Sequence, residues 1–177
     1  RSLVGSEMCI RDRSLKDAQK RNFYLDFYLN RDTVVDGCGQ LSLPSASKLW
    51  FTPDGHWKEP GGYHNYPVSK LIEAALMLEN NGYQIFNQYP ILLNASYVML
   101  KYSFPDLTAS AFGDTGRPRQ SMECLESAIL MADKYQLPIL PDLLNAAMIL
   151  EQAGQYDRSK SGLTGLLCYL PELPKAK

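Results

Sequence analysis

Between Thr33 and Tyr66 the chain carries Gly37, Gly39, Pro44, Pro53, Gly55, Pro60, Gly61 and Gly62. Glycine loses the most backbone freedom in a helix, and proline lacks the amide donor and clashes with the preceding turn. That density of breakers predicts that no regular helix spans the segment. A loop this long inside a compact domain is uncommon and usually functional. Leu41–Leu43 or Leu49–Phe51 is the place for a short strand, and Asp54-Gly55 reads as a turn.

On either side of the loop the hydrophobic period is helical. Before it, Phe23, Tyr24, Phe27 and Tyr28 share one face of a helix expected over Ser14 to about Asn30. After it, Pro67 suits the first turn of a helix reaching about Asn80, with Val68, Leu71, Ile72, Ala75 and Leu76 buried and Asn81-Gly82 as terminator. A second helix is expected from about Tyr89 to Ser103, with Ile91, Leu92, Ala95, Val98, Met99 and Tyr102 as its stripe. A loop from Pro105 to Gln120 follows. A third helix starts near Ser121, with Met122, Leu125, Ile129 and Ala132 inward, and a fourth runs from Pro141 or Asp142 to Ala153, ended by Gly154. One more short helix is expected within Arg158–Leu170. The fold class is therefore all-α: antiparallel helix pairs with long loops, either a partial (α/α) toroid or an α-solenoid of tetratricopeptide type. No second copy at a 34-residue period accompanies the repeat-like stretch from Ala146 to Tyr156.

The ends are treated separately. Residues 1–13 match the conceptual translation of a sequencing adapter and are set aside as an artefact. Residues 14–170 are expected to form the helical domain and 171–177 a frayed tail. The net charge of −1 becomes −2 once the three arginines, one glutamate and one aspartate of residues 1–13 are removed. A nucleic-acid footprint needs a basic face, so no nucleic-acid partner is expected, and an acidic ligand must be met by local cations. No apolar run is long enough for membrane insertion. Cys38, Cys124 and Cys168 have no metal-like spacing with the two histidines and read as core thiols, so neither a metal nor another cofactor is expected.

The stretch from Asp54 to Tyr66, Asp-Gly-His-Trp-Lys-Glu-Pro-Gly-Gly-Tyr-His-Asn-Tyr, resembles the D-G-x-x-x-E-x-x-x-Y-H-x-Y pattern of heparinase II/III-type and alginate lyases. Ser110–Gly116 is similar to a second loop of those proteins, and the resemblance covers about residues 20–155. It implies a toroid domain, an acidic polysaccharide or oligosaccharide as substrate, and a periplasmic or secreted parent protein. It also implies β-elimination, in which a base takes the proton beside a uronate carboxylate and the glycosidic oxygen leaves. Tyr63 matches the family's catalytic tyrosine. A tyrosine serves as base if nearby positive charge lowers its pKa from about 10 toward neutral. Tyr66 is the alternative on the same loop, or a packing residue at the helix entrance. His64 is expected to orient Tyr63 or touch substrate, and His56 and Trp57 to contact sugar or, for Trp57, to anchor the loop. Glu59 is expected to fix the loop or pair with a histidine. Arg117 and Arg119 are candidates for the substrate carboxylate.

The asparagine–histidine segment and a further histidine of such lyases have no match here, since the only histidines are His56 and His64. The resemblance therefore implies a fragment that is inactive alone. Two other readings stand beside it. A glycoside hydrolase on a similar toroid needs two carboxylates, for which Glu59 and Asp114 are the pair. A non-catalytic helical-repeat interaction module needs no clustered Tyr63, His64 and Trp57.

Overall fold

A computed structural model describes residues 18–35, 38–59, 62–111 and 116–156. The adapter-like segment, Cys168, Asp114, the Arg158–Leu170 helix and the tail lie outside the described residues. The chain is mostly helical: α1 (Ala18–Leu29), α2 (Leu43–Leu49), α3 (Gly62–Glu79), α4 (Ile85–Gln88), α5 (Ile91–Ala95), α6 (Val98–Lys101), α7 (Met122–Lys134) and α8 (Leu140–Gln152). A two-stranded antiparallel ribbon, β1 (Thr33–Val35) and β2 (Cys38–Gln40), pairs Thr33 with Gln40 and Val34 with Gly39.

The core is built from α3, α5, α7 and α8. On α7, Met122, Leu125, Ile129 and Ala132 are buried as the 3.6-residue period requires, and Ser121 caps the helix by accepting from the Cys124 amide at 3.4 Å. A short turn at 135–139 returns the chain as α8, which packs on α7 through Leu143, Ala147 and Leu150 as a helical hairpin. Each fully buried Leu or Ile here contributes about 1.5–3 kcal/mol. Cys124 is a buried cysteine on α7.

The end of α3 is fixed by a buried carboxylate. Glu79 accepts from Lys134 Nζ at 2.9 Å, Tyr135 Oη at 2.5 Å and the Phe86 amide at 3.1 Å. One side chain thus joins α3, the start of α4 and the end of α7, and each acceptor site gained offsets part of the cost of burying its charge.

The structure corrects the expected boundaries in three places. The strands fall at 33–40, whereas Leu43–Leu49 is helical, because Asp32 organises its start by accepting from the Ser42 amide and hydroxyl and the Ser45 hydroxyl, each at 2.8 Å. The helix expected from Pro67 begins at Gly62, so Tyr63, His64 and Tyr66 lie on its opening turns and Pro67 sits inside it. The helix expected over Tyr89–Ser103 is broken into α5 and α6. The Ala95 carbonyl faces the His64 ring at 2.9 Å, the Ser96 carbonyl accepts from Gln120 Nε2, and the Leu100 amide turns back to the Tyr97 carbonyl at 3.1 Å. Two consecutive carbonyls are diverted to distant side chains, and regular i to i−4 bonding stops there.

Candidate active site

The Asp54–Tyr66 segment begins in a tight strap. The Thr52 amide donates to the His56 carbonyl at 2.8 Å, the Gly55 amide to the Thr52 carbonyl at 2.9 Å, and the Lys58 amide to the Trp50 carbonyl at 2.9 Å. Gly55 has φ +95°, and a Cβ there would lie 2.6 Å from the Ala95 amide nitrogen. Only glycine meets both the left-handed conformation and that close approach. Asp54-Gly55 is therefore more than a turn: it seats the strap on α5.

His64 clamps the strap from the other side. Its Nδ1 accepts from the Trp57 amide and its Nε2 donates to the Ala95 carbonyl, both at 2.9 Å. This pair of bonds requires the neutral imidazole with the proton on Nε2. The ring is 1% exposed. Burial pushes its pKa down from 6.5 to about 4, against the raising effect of the Ala95 bond, with His56 adding to the depression. His64 is thus a positioning residue for the tyrosine turn; it supplies no positive charge near neutral pH and has no ring nitrogen left for a ligand.

The other motif residues surround this clamp. Trp57 stacks on Trp50 with ring centroids 5.3 Å apart, meets Phe51 edge-on, and donates its indole N–H to Glu59 at 2.6 Å. Glu59 accordingly fixes the loop through the indole. His56 is half-buried, with its ring 5.0 Å from His64 and 5.1 Å from Tyr102. Tyr102 was expected in the core but is 53% exposed, and its hydroxyl donates to Asp54 at 2.5 Å. The Thr52 hydroxyl, then Tyr102, holds the Asp54 carboxyl below the usual range, while the same bond to Asp54 raises the Tyr102 phenol.

Tyr63 and Tyr66, three residues apart on α3, remain exposed, at 43% and 61%. The amides at the start of this 18-residue helix carry partial positive charge. Pro67 has no amide to donate to the Tyr63 carbonyl, so the helical bond is missing at that residue. The second loop reaches the same turn: Asn65 Nδ2 donates to the Arg119 carbonyl at 2.7 Å, and Thr108 pairs with Arg119 in an antiparallel bridge. Arg117 and Arg119 are exposed there. Both guanidinium groups add to the depression of the Asp106 pKa, whose main cause is hydrogen bonding from Thr108.

The structure therefore joins Asp54, His56, Trp57, Glu59 and His64 in one clamp, leaves Tyr63 and Tyr66 on its helix, and ties the arginine loop to Asn65. Asn65, Tyr102 and Gly55 are the residues the sequence reading did not credit. Only Gly55 carried a local signal, as a glycine in a turn that meets buried helix.

No family model, curated protein or solved structure matches the chain. Among the described residues no group of His, Cys, Asp and Glu is placed to hold a metal ion, and no helix is long and apolar enough to cross a membrane.

Proposed function

We propose that the chain is the tyrosine-bearing part of a polysaccharide lyase that cleaves uronic-acid polymers by β-elimination, its helices forming part of an (α/α) toroid. The observation that carries this reading is the exposed Tyr63 on the first turn of α3, on a turn immobilised by the two hydrogen bonds of His64. A base must be held rigidly but open to substrate, and this tyrosine meets both demands.

In this reaction the Tyr63 phenolate takes the proton at C5 of the uronate. The electron pair forms the C4–C5 double bond, and the glycosidic oxygen leaves C4 with a proton returned by the same phenol. Arg117 or Arg119 pairs with the substrate carboxylate and stabilises the negative charge that develops on it. His64, being neutral, holds the turn. His56 and Trp57 lie on the same strap and are the candidate sugar contacts, with Tyr66 one turn along the helix.

The hydrolase alternative gains no support from the clamp, because Glu59 is engaged by the Trp57 indole and Asp114 lies outside the described residues. The test is product chemistry: the parent enzyme with alginate, heparan sulfate or hyaluronan yields unsaturated uronates absorbing in the ultraviolet, and Tyr63→Phe abolishes their formation. New reducing ends without unsaturation refute elimination.

A further inference from the structure

An open groove of about 850 Å³ lies between α2, the strap and the 88–94 segment. That volume falls within the roughly 300–1,000 Å³ of small-molecule sites. None of Tyr63, His64 and Tyr66 lines it. Its charged lining groups are Lys48 and Lys58, with no carboxylate among them, although the chain as a whole is slightly acidic. Lys58 Nζ spends one donor on the Leu49 carbonyl at 2.9 Å and keeps two. Among the described residues neither lysine is salt-bridged to a carboxylate. Asn94 adds an amide, and Pro53 with the half-buried Tyr89 ring adds apolar surface of the kind that covers the C–H face of a pyranose.

We propose that this groove is a binding site for an anionic saccharide, one uronate unit of an acidic oligosaccharide. The lysines hold the carboxylate, Asn94 the ring hydroxyls, and the apolar wall the sugar face. The choice of a uronate rests on the lyase reading; the groove and its charge do not.

The test is titration of the full chain with a mannuronate trisaccharide, followed by amide NMR shifts and calorimetry, with maltotriose and sodium acetate as comparators. The expected result is shifts at Lys48 and Asn94 and binding that weakens with added salt. Lys48→Gln and Lys58→Gln each weaken affinity by about tenfold, the worth of one charge-assisted hydrogen bond. Asn94→Asp, which keeps the side-chain size and adds a negative charge, also weakens binding, and decides the matter if Lys58→Gln loosens the strap. Equal affinity for maltotriose, unchanged binding by Lys48→Gln and Asn94→Asp, or full displacement by acetate at equal carboxylate concentration overturns the proposal. Shifts confined to residues 62–65 also overturn it while leaving the lyase reading intact. Lysine-dependent shifts in the groove, with no elimination by the parent enzyme, refute the lyase reading and uphold the groove as an acidic-sugar site.

Discussion

Lowering the pH from 7 should reduce the stability of the fold through His64 before the carboxylates titrate. In the folded chain burial holds the His64 pKa at about 4, against 6.5 for the free side chain. Between those values the unfolded chain binds a proton that the folded chain does not. Stability from this group is therefore complete above about pH 6.5 and falls as pH drops, by at most about 1.4 kcal/mol per pH unit. Over the whole interval the loss comes to about 3 kcal/mol. His64→Gln removes the titrating group and at least one of the two hydrogen bonds, costing about 2–3 kcal/mol at pH 7. The difference in unfolding free energy between wild type and variant should shrink steadily toward pH 4. Urea unfolding at half-unit pH steps measures that difference, and NMR of the His64 ring reads its pKa directly. A constant difference across the range, or a folded-state His64 titrating near 6.5, would refute the reasoning.

Three further outcomes follow from the same contacts. Gly55→Ala, which places a Cβ 2.6 Å from the Ala95 amide nitrogen at φ +95°, should cost about 2–4 kcal/mol in urea unfolding; a silent substitution contradicts the seating of the strap on α5. Glu79→Ala strands the buried Phe86 amide and the Tyr135 hydroxyl, and a loss of about 3 kcal/mol is expected by the same assay. Tyr102→Phe removes one of the two side-chain donors to Asp54, so the Asp54 carboxyl should titrate higher than in wild type by carbon NMR; the stability it contributes is present above its unfolded pKa and would then be lost at a higher pH as the medium is acidified.

The helices were legible where one face is apolar and the caps are local. The start of α7 and both ends of α8 lie within a residue or two of expectation, because Ser121, Glu123 and Gly154 act on their immediate neighbours. The break between α5 and α6 was not legible. It depends on His64 and Gln120, which are 31 and 24 residues from the carbonyls they engage. The start of α3 was misread for a related reason: Pro67 is a good first-turn residue, and nothing local says that the helix opens five residues earlier. Once it does, His64, Val68, Ile72, Ala75 and Glu79 form one buried stripe, and the histidine becomes the head of the core face. The sequence marked Asp54 to Tyr66 as one segment, but not where its side chains go. Spacing alone does not reveal that His64 turns inward to hold the strap while Tyr63, one position away, is left in the open.

The lyase proposal stands or falls on whether elimination products form and depend on Tyr63. The parent enzyme and its Tyr63→Phe variant should be incubated with alginate and glycosaminoglycan chains while ultraviolet absorbance and new reducing ends are followed together. The account predicts that both signals rise in parallel for the parent and that neither rises for the variant, which still binds the polymer. Reducing ends without the unsaturated chromophore, or undiminished elimination by the variant, would contradict it.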